Sequence, residues 1–238
     1  MKRYFIANWK MYLSISKSEQ LARQLVRLEK QKKLPKDVEV IIAPSLLALQ
    51  SVAAILKKAK SKMKIASQDV GVADSGPYTG GVSPRELKKL GITYAIVGHS
   101  ERREHAGEDG PILAKKAAAA VAGGLQVIYC VGETKDERQA ARAQEVVKKQ
   151  LRDVKSEIAI IAYEPRWAIG TGLAIEPSEA QQMHDYIARE MRGVPICYGG
   201  SVSDKNIYAF LSLENTEGVL VGSSSTTAAS LQAMLKRV

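Results

Sequence analysis

The segment AYEPRWAIGTG, residues 162–172, places Glu164 directly after an apolar run and closes on a Gly-Thr-Gly turn. A carboxylate at the end of a buried strand can serve as a general base, because exclusion of water brings its pKa closer to neutrality. The simpler explanation is a strand-end carboxylate that pairs with a neighbouring arginine. Glu164 alone does not distinguish a catalytic base from a structural ion pair, so the question is which reactive groups the fold brings beside it.

Polar groups follow other apolar runs in the same way. Asn8 and Lys10 follow the first run, and His99 follows the fourth. Taken singly, Lys10 could extend to solvent and His99 could cap a turn. Taken together, an ammonium, an imidazole and a carboxylate suit proton abstraction beside a carbonyl, which needs a base and a preorganised electrophile. His105, in a polar loop, and His184, on a helix, are expected to be structural.

Two glycine–serine turns offer a site for an anion. They are YGGS, residues 198–201, and VGSSS, residues 221–225. Backbone N–H groups there can approach a phosphate closely, and a helix beginning at Ser224 or Ser225 would add its dipole. Either turn alone is explained by a tight connection that needs glycine. The pair together favours a phosphate site formed by Ser201, Gly222 and Ser223.

Eight short apolar runs rich in β-branched residues are predicted as strands, with helical spacing between them. The runs span 3–8, 38–43, 63–67, 92–98, 125–131, 158–164, 194–199 and 217–222. Continuous apolar strands indicate burial on both faces, as in a parallel sheet. Eight such units in 238 residues favour an α/β fold with a single (β/α)₈ barrel over residues 1–238. A doubly wound sheet is the alternative, but its first turn usually carries glycines and NWKMYLS has none.

Apolar stripes at helical spacing predict the helices. Leu21, Leu25 and Leu28 form one stripe within residues 16–31. A second stripe, within residues 137–154, is formed by Ala143, Val146, Val147 and Leu151. A last helix, AASLQAMLKRV, is predicted to reach the C-terminus. In barrels of this class the active site lies at the carboxyl ends of the strands, so the polar groups named above are predicted to converge on one mouth.

Bulk composition restricts the function classes. The chain carries 35 Lys and Arg against 25 Asp and Glu, a net charge of +10, but only 5% aromatic residues, which argues against nucleic acid as a partner. The basic runs EKQKKLPKD and LKKAKSKMK are interpreted as solvated helix ends, and the excess charge would attract an anionic substrate. No apolar run is long enough to span a membrane or to form a signal peptide. Cys130 and Cys197 are expected to be buried free thiols rather than metal ligands, and these features predict a cytoplasmic protein.

Six motifs in order along the chain resemble those of the triosephosphate isomerase family. They are NWKM, YTGGVSP, GHSERR, CVGE, AYEPRWAIGTG and YGGSV. Each motif is moderately specific, and together they cover essentially the whole chain. The resemblance implies a homodimeric enzyme of glycolysis and gluconeogenesis that interconverts dihydroxyacetone phosphate and D-glyceraldehyde 3-phosphate without a cofactor or metal.

The resemblance also implies a role for each matching residue. Glu164 would move the proton between two carbons, and His99 would polarise the carbonyl as a neutral imidazole at a helix N-terminus, for which this family is a standard example. Lys10 would stabilise the enediolate, Asn8 would help to position it, and Glu101 would support these groups from behind. The phosphate would be held by Ser201, Gly222, Ser223 and the amide of Gly170. A lid that gates turnover, again an example taken from this family, would comprise Pro165, Arg166, Trp167, Ala168, Ile169, Gly170, Thr171 and Gly172.

Several positions depart from the family pattern without touching those groups. Gly81 stands where a glutamate is usual in the loop around Thr79, Tyr12 replaces an asparagine, and Ala106 replaces an aromatic residue. The homodimer is nevertheless expected to form through the loop around Thr79. Arg166 stands where the family usually has an apolar residue, and no role is assigned to it.

Two other functions remain as alternatives. Another phosphate-handling barrel isomerase would share the phosphate turns but has no need for Lys10, His99 and Glu164 together. A weakened or engineered barrel that binds phosphate-type anions or nucleic acid through its charge would be indicated by loss of Glu164 or of the lid glycines, and neither is lost.

Overall fold

Eight parallel strands close into a barrel in the computed structural model, which describes residues 2–154, 157–168 and 175–238. The strands are β1 (Arg3–Asn8), β2 (Val38–Ala43), β3 (Lys64–Ser67), β4 (Tyr94–Val97), β5 (Gln126–Val131), β6 (Ile160–Tyr163), β7 (Ile196–Tyr198) and β8 (Gly218–Val221). Each strand pairs with the next, and β8 pairs with β1 with Phe5 opposite Val219. The predicted (β/α)₈ barrel is confirmed, and its closure leaves no sheet edge open for pairing.

Within the described residues, ten helices surround the barrel. They are α1 (Ile15–Lys30), α2 (Leu46–Ala59), α3 (Pro84–Lys89), α4 (Ser100–His105), α5 (Gly110–Ala122), α6 (Lys135–Gln139), α7 (Ala143–Asp153), α8 (Pro177–Glu190), α9 (Ile207–Leu211) and α10 (Ala228–Leu235). Side-chain caps start several of them: Asp109 accepts the N–H of Ile112 at α5, and Thr134 forms a capping box with Glu137 at α6. None of these helices is both long and apolar enough to cross a membrane.

The alternation of side chains along the strands divides the core into two layers. The layer inside the barrel contains Ile6, Ile41, Ala66, Tyr94, Ile96, Ile128, Cys130, Ile160, Ala162, Cys197 and Leu220. The larger outer layer fills the space between strands and helices, and burial of each large apolar side chain there contributes about 1.5–3 kcal/mol. Because inward positions recur at every second residue, the position that follows Ile160 and Ala162 on the inner face is Glu164. The core pattern of β6 therefore carries this carboxylate to the end of the barrel.

The helical prediction over residues 137–154 is wrong in one respect, because the segment forms two helices. Ala141 has a φ of 57°, which interrupts α-helical geometry. The N–H of Arg142 donates to the carbonyl of Glu137 at 2.8 Å and closes α6, and the Arg142 side chain pairs with Glu145 in the first turn of α7. The break is therefore built from local hydrogen bonds that an apolar stripe does not reveal.

The other boundaries agree with the prediction to within two residues for every strand. The last helix is an exception, since α10 ends at Leu235 and not at the C-terminus. Lys236 and Arg237 beyond it are exposed and have no apolar surface to bury.

Candidate active site

The carboxyl ends of the strands bring the predicted polar residues to one mouth. Asn8 is the last residue of β1, Lys10 lies two residues beyond it, and His99 and Glu164 follow β4 and β6. A cavity of about 270 Å³ opens at this end, and its lining includes Lys10, His99, Ser201, Gly222 and Ser223. The structure thus places groups from four strand ends around one space, with Glu164 directly beside His99.

Glu164 is held at the mouth by the first turn of α4. Its Oε2 accepts a hydrogen bond from the backbone N–H of Ser100 at 2.8 Å, and its Oε1 lies 3.2 Å from Nε2 of His99. The residue is only 1% exposed, and Oε1 has no well-aligned hydrogen-bond donor among the described residues. One carboxylate oxygen is therefore anchored while the other keeps unused bonding capacity.

Four glycines at inward positions provide the space that these side chains occupy. Gly98, Gly132, Gly199 and Gly222 follow β4, β5, β7 and β8, each two residues beyond an inward apolar residue. A Cβ at Gly132 would lie 1.7 Å from the carbonyl oxygen of Glu164, and a Cβ at Gly199 would lie 2.8 Å from Cγ of Glu164. Glycine is therefore required at these two positions for Glu164 to lie between β5 and β7.

His99 is the N-cap residue of α4, as GHSERR suggested. Its Nδ1 accepts the backbone N–H of Glu101 at 3.2 Å, so the proton of the ring lies on Nε2 in this arrangement. Nε2 is the atom that faces Glu164, and His99 lines the cavity. The helix terminus therefore presents a neutral imidazole with a hydrogen-bond donor directed into the mouth.

Lys10 lies in an uncommon backbone conformation, with a φ of 47°. Two contacts hold it there: Asn8 Oδ1 accepts the Lys10 N–H at 3.0 Å, and Gln68 Nε2 donates to the Lys10 carbonyl at 2.9 Å. The Lys10 ammonium lies 2.6 Å from Glu101 Oε1, and the side chain is mostly buried. A left-handed conformation in a lysine costs about 1–3 kcal/mol and persists only where neighbours enforce it.

Gln68 is a site residue that sequence reasoning missed. Besides Lys10, its side-chain amide donates to the carbonyl of Ala43 at 2.8 Å, so it joins the ends of β1 and β2 from its place after β3. No motif pointed to it, because its role depends on the packing of three strand ends. A polar residue directly after a buried strand was the only available signal.

The two glycine–serine turns face the same cavity, as predicted. Ser201, Gly222 and Ser223 all line it. The predicted helix at Ser224 or Ser225 is wrong, since Ser223–Ser225 form a single 3₁₀ turn and α10 begins at Ala228. The short turn arises because the Ser225 hydroxyl donates to the carbonyl of Gly222 at 2.7 Å. The turn still lines the cavity, through Gly222, Ser223 and Ser224, but brings no long helix dipole.

The first part of the predicted lid is anchored to two strand ends. Pro165 and Ala168 are buried, and Arg166–Ala168 form a 3₁₀ turn. The Ala168 carbonyl accepts from the Ser201 hydroxyl at 2.6 Å, which connects this turn to the end of β7. Ile169, Gly170, Thr171 and Gly172 lie outside the described residues, so their predicted lid and phosphate contacts stay predictions.

Glu133 is a second residue to which the sequence assigned no role. It is fully buried after β5, its backbone carbonyl accepts the N–H of Arg166 at 3.0 Å, and its carboxylate contacts the hydroxyl of Tyr163 and the indole N–H of Trp167. Burial raises the pKa of Glu133, although Arg138 and these donors oppose the rise. Glu133 therefore fixes the chain directly beyond Glu164.

Arg166 reaches α4, with its guanidinium 3.9 Å from Glu104. The Arg166 side chain is 22% exposed and that of Glu104 is 60% exposed, so solvent weakens this pair. The contact nonetheless shows where Arg166, which the family pattern did not explain, lies in the fold.

The remaining histidines and the cysteines lie apart from the cavity lining. His105 is exposed at the end of α4, not in the loop where it was predicted, and His184 is buried on α8 against Thr216. Cys130 and Cys197 are buried free thiols, as expected. Burial raises the pKa of Cys130, and the nearby Glu164 carboxylate raises it further, so the thiol beside Glu164 stays neutral.

Comparisons with known proteins agree with this geometry. The family model described as triosephosphate isomerase matches residues 3–238. A protein named triosephosphate isomerase from Thermodesulfovibrio yellowstonii is 36% identical over 237 residues, which cover 94% of each chain. Proteins of the same name from Nitratidesulfovibrio vulgaris (strain DP4) and a Psychrobacter species are 37% and 35% identical, with at least 98% of each chain covered. With a barrel of this topology, these residues at its mouth and similarity over the whole length, the chain belongs to the triosephosphate isomerase family and is an isomerase.

Proposed function

We propose that this protein interconverts dihydroxyacetone phosphate and D-glyceraldehyde 3-phosphate by moving one proton between adjacent carbons through an enediolate. The observation that carries the proposal is the pair formed by Glu164 Oε1 and His99 Nε2, 3.2 Å apart beside a cavity with glycine–serine turns. A base and a hydrogen-bond donor at this distance can face a carbon and its carbonyl oxygen at the same time.

Glu164 is the base in this proposal. Its carboxylate takes the proton from the carbon next to the carbonyl and returns it to the neighbouring carbon, so that no net proton is gained or lost. The N–H of Ser100 holds one oxygen at 2.8 Å and leaves the other for the substrate. Burial of Glu164 supports this role, because exclusion of water protects the proton-transfer step from competing side reactions.

His99 and Lys10 stabilise the oxygen that becomes negative. His99 donates from Nε2 because Nδ1 already accepts the N–H of Glu101. Lys10 supplies positive charge, and Glu101 aligns its ammonium at 2.6 Å. Asn8 keeps the Lys10 backbone in place, so the cation is oriented before substrate arrives and little reorganisation is needed.

Ser201, Gly222 and Ser223 hold the substrate phosphate in this proposal, and Gly170 adds its amide from the lid. Support comes from their position around the cavity that also contains Lys10 and His99. A fixed phosphate supplies binding energy remote from the reacting carbons, and that energy can be used to order the site.

A coupled assay of the interconversion in both directions tests the proposal. We expect activity in the unmodified protein and a loss of kcat of about 10²–10⁴-fold in Glu164→Gln, the usual contribution of a general base. Glu104→Gln is the matched control, because it removes an exposed carboxylate from α4. An inactive unmodified protein would contradict the function, and equal activity in Glu164→Gln would contradict only the assignment of the base.

We also propose a homodimer that forms through the loop around Thr79. The N–H of Gly71 donates to the carbonyl of Val82 at 2.8 Å and closes the base of this loop, and Thr79 is exposed at its tip. Large apolar side chains are exposed on neighbouring segments after β1, β2 and β3; they are Met11, Tyr12, Ile15, Leu46, Leu47 and Tyr78. A shared apolar patch of this kind is typical of protein interfaces.

Sedimentation analysis checks the dimer. We expect a particle of about twice the chain mass of 25.9 kDa at micromolar concentration. Leu47→Glu, at a side chain that is 80% exposed, should shift the particle towards the monomer without unfolding it. A monomer in the unmodified protein would contradict the proposal. A cytoplasmic location is proposed as well, and it is supported by two buried cysteines that remain thiols.

A further inference from the structure

The excess positive charge of the chain is concentrated in one segment. Residues 15–62 contain eleven Lys and Arg but four Asp and Glu, which amounts to +7 of the net +10. Lys10 and the other residues of the mouth lie outside this segment. The charge therefore needs an explanation other than the site described above.

Helices α1 and α2 pack side by side and form a groove from this segment. The groove encloses about 600 Å³, and its floor is apolar, formed by Val26, Ala54, Ile55 and Ala59. Its rims carry cations: Arg23, Arg27 and Lys30 from α1, and Lys58 from α2. A smaller cavity of about 290 Å³ shares Glu19, Arg23 and Arg27 with it and extends the groove along α1.

Most of the rim charge is not neutralised within the chain. Glu19 lies 3.5 Å from Arg23 and is the acidic residue of the groove lining. Among the described residues no carboxylate lies within ion-pair distance of Arg27, Lys30 or Lys58. Glu29, the other acid of α1, accepts the backbone N–H of Lys62 at 2.8 Å. The groove therefore combines apolar surface with cations that lack counter-charges.

We propose that the groove between α1 and α2 binds an acidic amphipathic helix of a partner protein. Arg23, Arg27 and Lys30 follow the i, i+4, i+7 spacing, which places three cations along one edge over about 10 Å, or two turns of a facing helix. An apolar stripe of that helix would cover the floor, while flanking carboxylates would pair with the rims. This is the helix-in-groove mode of recognition, with affinity from the floor and orientation from the charges.

Other occupants fit the same surface less well. The groove lining contains no aromatic residue on which a base could stack, and its apolar floor has no use for phosphates. An anionic membrane surface would pair with the rim cations but would present headgroup phosphates, not apolar side chains, to the floor. A second copy of this chain that docked through the same groove would place its own Arg23, Arg27 and Lys58 against these rim cations.

A fluorescence anisotropy titration tests the proposal. The probe is a labelled peptide of about 18 residues, with leucines along one helical face and glutamates on both flanks. We expect a dissociation constant of tens of micromolar or lower at about 50 mM salt, and weaker binding at about 300 mM salt. The combined variant Arg23→Glu, Arg27→Glu, Lys58→Glu should weaken binding by about tenfold or more.

Matched controls separate this groove from a general charge effect. The combined variant Lys88→Glu, Lys149→Glu, Arg192→Glu changes three exposed cations elsewhere and should bind the peptide as the unmodified protein does. A polyglutamate peptide of equal charge without leucines should bind at least about tenfold more weakly, because it cannot cover the floor. Circular dichroism and triose phosphate turnover show that both variants are folded.

Four results would overturn the proposal. They are absence of peptide binding at about 100 µM, equal losses in the two combined variants, equal affinity for polyglutamate, and tighter binding of an oligouridylate RNA or of phosphatidylglycerol vesicles than of the peptide. The last result would assign the groove to a different class of partner.

Discussion

Both ends of the barrel hold a glutamate and a lysine but, within the part of the chain that the structure describes, only at the amino end are both oxygens of the glutamate paired. At the amino end, Lys2 lies 2.7 Å from Glu39, and the Tyr94 hydroxyl donates to the same carboxylate. Burial raises the pKa of Glu39, but Lys2 and Tyr94 outweigh it and hold the pKa below its usual range. At the carboxyl end, Glu164 keeps a buried oxygen without a donor, and Lys10 has a positive φ.

The comparison shows at which end of the barrel the fold tolerates local losses of stability. A buried polar atom without a partner costs about 1–3 kcal/mol, and a strained φ costs a similar amount. The amino end avoids the first cost because its carboxylate is fully paired, although residues of positive φ occur there too, such as Lys60 before β3. The carboxyl end carries both, and what it retains is bonding capacity on Glu164 directly beside His99, which lines the cavity. Similar residue types therefore stabilise the protein at one end and remain available to a ligand at the other.

Substitution of one glutamate at each end gives the largest expected contrast. Glu39→Gln should lower the free energy of unfolding by about 1–3 kcal/mol, because a paired carboxylate is lost. Its kcat should stay within about twofold, since the amino end of such barrels serves stability. Glu164→Gln should show the reverse, with a large loss of kcat and no loss of stability. Urea unfolding and the coupled assay measure both quantities, and a comparable loss of kcat in Glu39→Gln would break the comparison.

His184 tests whether a buried polar atom without a hydrogen-bond partner, when it lies outside the mouth, affects stability but not activity. Its Nδ1 lies 2.6 Å from the Thr216 hydroxyl, its Nε2 has no partner among the described residues, and burial lowers its pKa to about 4. The unfolded chain binds a proton here below about pH 6.5, while the folded chain does not until about pH 4. Stability should therefore fall by about 3 kcal/mol as the pH is lowered through this window.

The variant His184→Asn should flatten that part of the stability profile without changing kcat beyond about twofold, since the ring lies outside the cavity lining. His105→Asn, which removes an exposed histidine, is the matched control. Urea unfolding at several pH values provides the measurement. A large loss of activity in His184→Asn would mean that unpartnered atoms mark function on the outer layer as well.

The smallest and most specific effect on stability is expected from the backbone strain at Lys10. Lys10→Gly and Lys10→Ala both remove the ammonium, and both should lose activity. Only glycine accepts a φ of 47° without steric cost, so Lys10→Gly should be about 1 kcal/mol more stable than Lys10→Ala. Equal stability by urea unfolding would show that the backbone there is not strained, and the contrast between the two ends would then rest on Glu164 alone.

Most of the fold and the principal site groups could be predicted from the sequence. The eight apolar runs specified the barrel, and the rule that parallel strands end at one mouth then grouped Lys10, His99 and Glu164. The positive φ of Lys10 could not be predicted, because lysine disfavours it and the enforcing contact comes from Gln68, which follows β3. The role of Glu133 could not be predicted for the same reason, since it depends on contacts with Trp167 and with the turn packed above it.

The distribution of charge shows a second limit of sequence reasoning. The basic runs at the ends of α1 and α2 were interpreted as solvated helix ends, and each run does begin in the last turn of its helix and continue beyond it. The interpretation overlooked Arg23 and Arg27, which lie within α1 and share a groove with Lys58 only because two helices pack side by side. Periodicity describes one helix at a time, so a surface formed by two helices appears only in the folded molecule.

The inward glycines at the mouth have a consequence for evolution. A methyl group at Gly98, Gly132, Gly199 or Gly222 would meet another atom within 3.3 Å, from Arg103, Glu164, Glu164 and Lys10 respectively. A wall of bare backbone has no rotamers, so a ligand meets a surface of nearly invariant shape. The strand ends at Gly98, Gly132 and Gly199 are thereby closed to gradual enlargement of their side chains, whereas at Gly222 the contact is with the flexible end of Lys10. A change of substrate in this lineage would have to arise on the other five strands or in the loops, which leaves few single-step routes to a new specificity.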